Sequence, residues 1–431
     1  MRQTRKHLID NIEIFKTQLL AWSQQFDDVV WLDSNHCKQK YSKYDAVLAV
    51  DAFTSIQTDY SNGFNKLKDY QNTTGDWIFG YLTYDLKNDV EQLGSNNFDG
   101  LEFPDLYFFQ PKKLFLIKGK KLVIKYLNSV INEWQDDIKC IETYSFDGLQ
   151  KVSDHPIKIK LRTSKDEYFN KLDKMLYHIH RGDIYEANFC QEFYTENTQI
   201  HPLETYLKLN AISKTPFAAF LKVSDKYVLS ASPERYIKKK GRKIVSQPIK
   251  GTAKRSDNYV EDQALIQQLK TDEKERSENI MIVDLVRNDL SKTAKKGSVK
   301  VKELCQVYTF KQVHQMISTI ISKVKKEVHP VDVLQTTFPM GSMTGAPKIS
   351  AMEIIETLED AKRGLYSGAV GYFSPKGNFD FNVVIRSILY NETNKYVSYS
   401  VGGAITAKSQ PLKEYEECLV KAKAMREVLE S

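Results

Sequence analysis

The chain has 431 residues, 41% hydrophobic and 27% charged, ordinary globular values that allow two or three domains or one unusually large one. It has no uninterrupted apolar run long enough for a membrane span, and its start, MRQTRKHLIDNIEIFK, lacks the apolar core and cleavage site of a signal peptide. Five scattered cysteines without a CxxC argue against a disulfide framework or structural zinc and fit a reducing cytoplasm, while the net charge of +7 suits attraction of small anions.

Residues 1–145 mix helical and strand patterns, broken by turn clusters such as Thr73-Thr74-Gly75 and Gly94-Ser95-Asn96-Asn97. They are read as an N-terminal domain. A polar stretch from Asp147-Gly148 to Asp154-His155-Pro156 marks a boundary, with the linker set at 146–163 and a larger domain at 164–427. Ser164-Lys165-Asp166-Glu167 has the form of a capping box. Tyr168, Leu172, Met175, Leu176 and Ile179 then make one apolar helical face, and Gly182 ends the helix. A strand from Ile184 to Thr195 follows. Its second face carries Glu186, Asn188, Cys190 and Glu192, so it lines either solvent or a site.

The basic run Lys238 to Lys243 lies between apolar pairs and reads as a solvated hairpin tip. Neither a stacking motif nor a reading helix accompanies it, so no nucleic-acid partner is expected. The strand pattern Lys243–Gln247 feeds Pro248-Ile249-Lys250-Gly251-Thr252. A lysine beside a glycine at a strand end can meet a small molecule closely. It becomes a nucleophile only after losing its proton; a pKa near 7–8 needs about 3–5 kcal/mol of destabilisation of the cation.

Two carboxylate pairs stand out. Glu275 and Glu278 sit three apart in a helical segment leading into Ile280–Leu285, and Glu414 and Glu417 sit three apart on the last helix. The apolar stripe of that helix is read as Tyr415, Leu419, Ala422 and Val428 or Leu429. Each pair shares a helix face despite its mutual repulsion. Four converging carboxylates would suit Mg²⁺, which takes oxygen ligands. The run Gly341–Lys348 fails as a P-loop, because Ala346 and Pro347 stand where the second glycine and the lysine belong. It reads instead as a turn into a helix whose start could hold an anion. No GxGxxG, HExxH, GxSxG or internal repeat occurs.

Taken together, residues 164–427 resemble the chorismate-utilising enzymes, a family that includes anthranilate, aminodeoxychorismate, isochorismate and salicylate synthases. The resemblance rests on Ser232-Pro233-Glu234-Arg235, the Pro248–Thr252 run, Glu278-Asn279, Asp284 to Leu290 and Gly341 to Lys348. Gly368-Ala369-Val370-Gly371-Tyr372, Ile385-Arg386 and Gly402-Gly403-Ala404-Ile405 complete it, in family order. Gly80 to Leu86 more weakly resembles the family's N-terminal domain. The resemblance implies an α+β fold, two large and mostly antiparallel β-sheets packed together with helices outside. It also implies a chorismate-binding catalytic domain at 164–427.

Lys250 resembles the aminodeoxychorismate synthases, since anthranilate synthases typically have Ala there. The resemblance implies that Lys250 attacks C2 of chorismate, displacing the 4-hydroxyl, and that ammonia then adds at C4 and expels the lysine. It further implies Glu234 as general acid, Thr252 beside the ring, and Mg²⁺ on Glu278 and Glu417 with Glu275 and Glu414 holding its waters. Arg386, Tyr372, Gly402, Gly403 and Ala404 would clamp the enolpyruvyl carboxylate. A glutamine amidotransferase subunit would supply ammonia, because no cysteine here sits in a nucleophile elbow.

Three positions depart from the family pattern. Gln315 replaces a usual histidine, so His314 does not inherit that role. Ala404 adds a methyl group to the glycine triplet. Glu186 stands where isochorismate synthases carry a water-activating lysine, and it is expected to face the site and handle ammonium. Two rival readings are an anthranilate synthase component I and a non-catalytic chorismate- or tryptophan-binding regulator. Intact Lys250, Glu234 and both glutamate pairs argue against the regulator.

Overall fold

The computed structural model describes residues 1–37, 40–145, 157–311 and 313–430; the boundary stretch Asp147–Pro156 lies outside them. Among the described residues, twenty strands form one hydrogen-bonded network. Every pairing between named strands is antiparallel.

The network divides into two large sheets that share one long strand, Leu106–Lys118. The first sheet runs Arg2–Leu8, Lys121–Leu127, Leu106–Lys118, Ala46–Thr58, Asp28–Asp33 and Phe217–Val223. It continues through Lys226–Ser232, Ser387–Asn391, Tyr396–Thr406 and Glu186–Thr195. The second runs from Leu106–Lys118 through Ile78–Leu82, Ala369–Phe373, Phe379–Val383, Arg235–Lys240 and Lys243–Gln247 to Val313–Lys323. There Ile249–Lys254 and Lys300–Thr309 both pair with Val313–Lys323. Leu106–Phe109 pairs with Ile78–Leu82, while Lys113–Lys118 pairs with Lys121–Leu127. The expected two-sheet α+β architecture is therefore present, with the sheets continuous through this strand.

One hydrophobic core draws on both sheets, from Val30, Ala49 and Leu221 to Phe79, Phe108, Tyr236 and Phe381. A second lies between the first sheet and the helices Ile12–Trp22, Trp134–Glu142, Lys165–Arg181, Pro202–Ser213, Lys348–Leu358 and Pro411–Glu430. Residues on either side of the 146–163 stretch contribute to both cores.

Local signals account for several elements. The Ser164–Glu167 capping box forms, and Gly182 closes that helix at φ +89°. The strand Glu186–Thr195 is buried on both faces except at Tyr194, so its polar face meets protein rather than solvent. Two readings change. Lys238 and Lys239 are buried, Lys238 against Asp380 and Lys239 donating to Gly377 O at 2.9 Å, so the hairpin tip begins only at Lys240. On the last helix Cys418 packs inward and Leu419 is 38% exposed, because the neighbouring row of the same turn faces the sheet.

Candidate active site

Lys250 lies near the start of the strand Ile249–Lys254. Gly251 follows at φ +92°, and a Cβ there would come within 3.1 Å of Glu275 Oε2. Only glycine lets this strand approach the Glu275 helix so closely. Lys250 Nζ lies 3.0 Å from Glu186 Oε1, with the two side chains 10% and 1% exposed. Burial alone lowers the Lys250 pKa, but the carboxylates of Glu186, Glu278 and Glu234 outweigh it and hold it above its ordinary value. In this structure the lysine is a cation, not the free amine expected of a nucleophile. Glu186 engages the lysine through its Oε1. Its Oε2 is buried with no hydrogen-bond partner among the described residues.

Glu234 occupies the connection between Lys226–Ser232 and Arg235–Lys240 and is 4% exposed. Ser342 Oγ donates to its Oε1 at 2.7 Å. Burial pushes the carboxyl up to about 7, although Ser342, Lys250 and the Ile249 N–H all pull it down. A large share is protonated near neutrality, which suits a general acid.

The glutamate pairs sit where the sequence places them. Glu275 and Glu278 are on the helix Glu273–Thr293, capped by Asp272, whose side chain accepts from Glu275 N. Glu414 and Glu417 are on Pro411–Glu430. Lysines are interleaved with them: Lys274 Nζ is 3.0 Å from Glu414 Oε1 and 3.8 Å from Glu278 Oε1. Lys421 Nζ is 2.6 Å from Glu417 Oε1 and donates to Gly402 O at 2.7 Å. Among the described residues no three carboxylates close into one ligand sphere. Glu278 Oε1 is nevertheless buried without a hydrogen-bond partner among them. Burial raises that carboxyl to about 7 against the pull of Lys250 and Lys274. Burial and the Glu417 charge raise Glu275. A buried, unpartnered carboxylate oxygen among like charges fits an oxygen-seeking divalent cation.

Arg386 stands at φ +53° after the strand Phe379–Val383. Its one side-chain hydrogen bond among the described residues goes to Lys421 O at 3.4 Å. Burial lowers its pKa, and its electrostatic neighbours are Tyr366, Glu417 and Cys418. A half-buried, under-bonded guanidinium of this kind suits a ligand carboxylate.

Tyr372 does not belong to this clamp. It packs against Trp77 and Phe79 at ring separations of 5.5 and 5.4 Å. Its hydroxyl faces Asp380, Tyr44 and Arg235. It lies within a strand whose side chains at this register point between the sheets; Tyr366, in the turn before that strand, is the tyrosine beside Arg386.

Gly402, Gly403 and Ala404 pair with Cys190, Phe189 and Asn188. A Cβ on Gly403 would lie 3.5 Å from Glu414 Oε2, so this strand edges the acidic cluster. Gln315 is buried opposite Thr252, and its Oε1 has no partner among the described residues. Thr252 is exposed at the rim. His314 points the other way, its Nε2 2.8 Å from Asp262 Oδ1 and its Nδ1 3.0 Å from Thr309 Oγ1.

Sequence reasoning missed Ser342, Lys274, Lys421 and Tyr366. Ser342 lay inside the Gly341–Lys348 run that was read as an anion-binding helix start. Gly345 and Ala346 instead pair with Ala187 and Glu186. A Cβ on Gly345 would lie 2.1 Å from Glu186 O. The run therefore positions Glu186 and Ser342. Lys274 and Lys421 were visible as i,i+4 partners of Glu278 and Glu417.

The profile of a family described as chorismate binding enzyme matches residues 24–427. An "anthranilate synthase component I-like protein" of Synechocystis is 34% identical over 83% of this chain and 73% of its own length. "Aminodeoxychorismate synthase component 1" of Bacillus subtilis is 31% identical over 88% of this chain and 80% of its own. A "probable aminodeoxychorismate synthase, chloroplastic" of rice is 35% identical over 84% of this chain but only 44% of its own length. In fold, the chain is similar to the crystal structure of anthranilate synthase component I from Streptococcus pneumoniae, at TM-score 0.79 and 24% identity. That match covers 90% of this chain and 93% of the other. The Escherichia coli isochorismate synthase MenF matches all of this chain and 95% of its own at TM-score 0.77 and 16% identity. The chain belongs to the chorismate binding enzyme family.

Proposed function

We propose that this chain aminates chorismate at C4, giving 4-amino-4-deoxychorismate for 4-aminobenzoate and folate synthesis. The observation that carries the reading is Lys250 Nζ, buried 3.0 Å from Glu186 Oε1, with the Glu234 carboxylate among the charges that act on it. Relatives named aminodeoxychorismate synthase support it. Glu186 Oε1 takes the proton of Lys250. Two of the three carboxylates that retain that proton, Glu234 and Glu278, are themselves raised to about 7, which weakens their hold near neutrality. The amine attacks C2, and Glu234 protonates the departing 4-hydroxyl. Ammonia adds at C4 and returns the bonding pair to Lys250. Dividing one allylic substitution into two lowers each barrier.

Arg386 and Tyr366 hold the enolpyruvyl carboxylate, and Thr252 and Gln315 border the ring. Mg²⁺ on Glu278 and Glu417, with Glu275 and Glu414 beside it, would neutralise the ring carboxylate. Ammonia comes from a glutamine amidotransferase partner, a reading supported by the name "component 1" that several relatives carry.

The test is a product assay with chorismate, Mg²⁺ and ammonium at mildly alkaline pH, read by chromatography and mass spectrometry. Aminodeoxychorismate that a lyase converts to 4-aminobenzoate, and that is lost in Lys250→Ala, is the expected result. Fluorescent anthranilate would make this an anthranilate synthase instead. Glu186→Gln is expected to slow ammonium-dependent turnover by about 10²–10⁴-fold; unchanged turnover would remove the base from the scheme.

A further inference from the structure

A small cavity lies against Glu234, lined also by Ser342, Tyr236, Thr337, Val286 and Leu290. Lys250, Glu186, Arg386 and the four site glutamates do not line it. Its space suits a molecule the size of water or ammonia. The polar groups of the wall are already engaged with one another. Tyr236 Oη and Thr337 Oγ1 are 2.6 Å apart, and Ser246 Oγ donates to Tyr236 O at 2.8 Å. Asp289, also in the lining, binds Lys292 through Oδ1 at 3.1 Å and Lys348 through Oδ2 at 3.0 Å. Lys292 is about half exposed, so the Asp289 side of the lining lies one side chain from solvent. Such walls pass a small neutral molecule without fixing it, and they offer a free ammonium ion no unshared counter-charge.

Resting on the C4 reading above, we propose that this cavity is the transit chamber through which ammonia reaches C4. The carbon that loses its hydroxyl to Glu234 is the same carbon that receives ammonia, so ammonia must arrive beside this carboxyl. The step balances there. Glu234 gives its proton to the leaving hydroxyl, and water departs. Ammonia forms the C4–N bond, the pair shifts through the allylic system, the C2–N bond to Lys250 breaks, and the lysine leaves as a neutral amine. The new C4 ammonium returns one proton to the Glu234 carboxylate. Chorismate and ammonia become aminodeoxychorismate and water.

The test fills the chamber from its apolar wall with Val286→Phe, and with the milder Val286→Met. The ammonium KM is expected to rise about tenfold or more, by analogy with the selectivity of tight apolar pockets. The chorismate KM should stay within about twofold. The Lys250–substrate adduct, trapped without ammonia and read by mass spectrometry, should form at the wild-type rate. An unchanged ammonium KM, or an adduct rate that falls in step, overturns the chamber. The wild-type product tests the C4 reading separately: anthranilate there overturns that reading whatever the KM values show.

Discussion

Burial holds the Glu234 carboxyl near 7 against three groups that pull it down, and this sets a sign for stability as well as for catalysis. A carboxyl raised from 4.5 binds its proton more tightly folded than unfolded. Its contribution is full below the unfolded value and is lost as pH rises through about 7. Glu234→Gln keeps the shape and the Ser342 contact but does not titrate. Relative to wild type it should therefore gain roughly 3 kcal/mol between pH 4 and pH 8. Denaturant melts at both pH values check this; a constant difference would mean that the carboxyl is not held neutral. At this scale the sequence was legible where a residue's role follows from its type and local period. Lys250, Glu186 and both glutamate pairs stood out in that way, as did the exclusion of His314, which strand alternation turns away from Gln315, whereas Glu234 was marked only by the resemblance. Tyr372 and Tyr366 show the limit. They sit six apart around the same glycines, and only the turn before the strand decides which one reaches Arg386.

The helices Glu273–Thr293 and Pro411–Glu430 were legible from their apolar spacing and their carboxylates. Their mutual approach was not, because it depends on the strands between them. Gly345, packed on Glu186 O, and Gly403, beside Glu414, are contacts no local pattern announces. The two helices bring like charges together, and Lys274 and Lys421 now offset them. A divalent cation that binds the folded site would stabilise the protein by mass action. At about 100 times its Kd, Mg²⁺ should add about 2.7 kcal/mol. That appears as a rise in Tm without substrate, and it should vanish in the double variant Glu278→Gln, Glu417→Gln. A rise that survives in the variant would place the cation elsewhere.

At the scale of the whole molecule, the two-sheet architecture followed from the resemblance, whereas the way its halves interlock did not. The boundary at 146–163 was read from composition, and composition carries no information about strands that pair across hundreds of residues. The strand Ala369–Phe373 is hydrogen-bonded on one side to Ile78–Leu82, and Phe217–Val223 is bonded to Asp28–Asp33. Without residues 1–145, both strands become open edges, and the faces of Phe220, Phe373 and Phe381 lose partners in both cores. Residues 157–431 expressed alone should therefore fail to reach the native state. They are expected to show weak near-ultraviolet dichroism, bind a hydrophobic dye and melt without a cooperative transition. Each core would lose several large aromatic or aliphatic contacts worth about 2–5 kcal/mol apiece, more than the total stability of about 5–15 kcal/mol typical of a domain can absorb. A fragment that melts cooperatively and retains Mg²⁺-dependent stabilisation would show instead that the catalytic portion folds on its own and that the N-terminal strands only extend it.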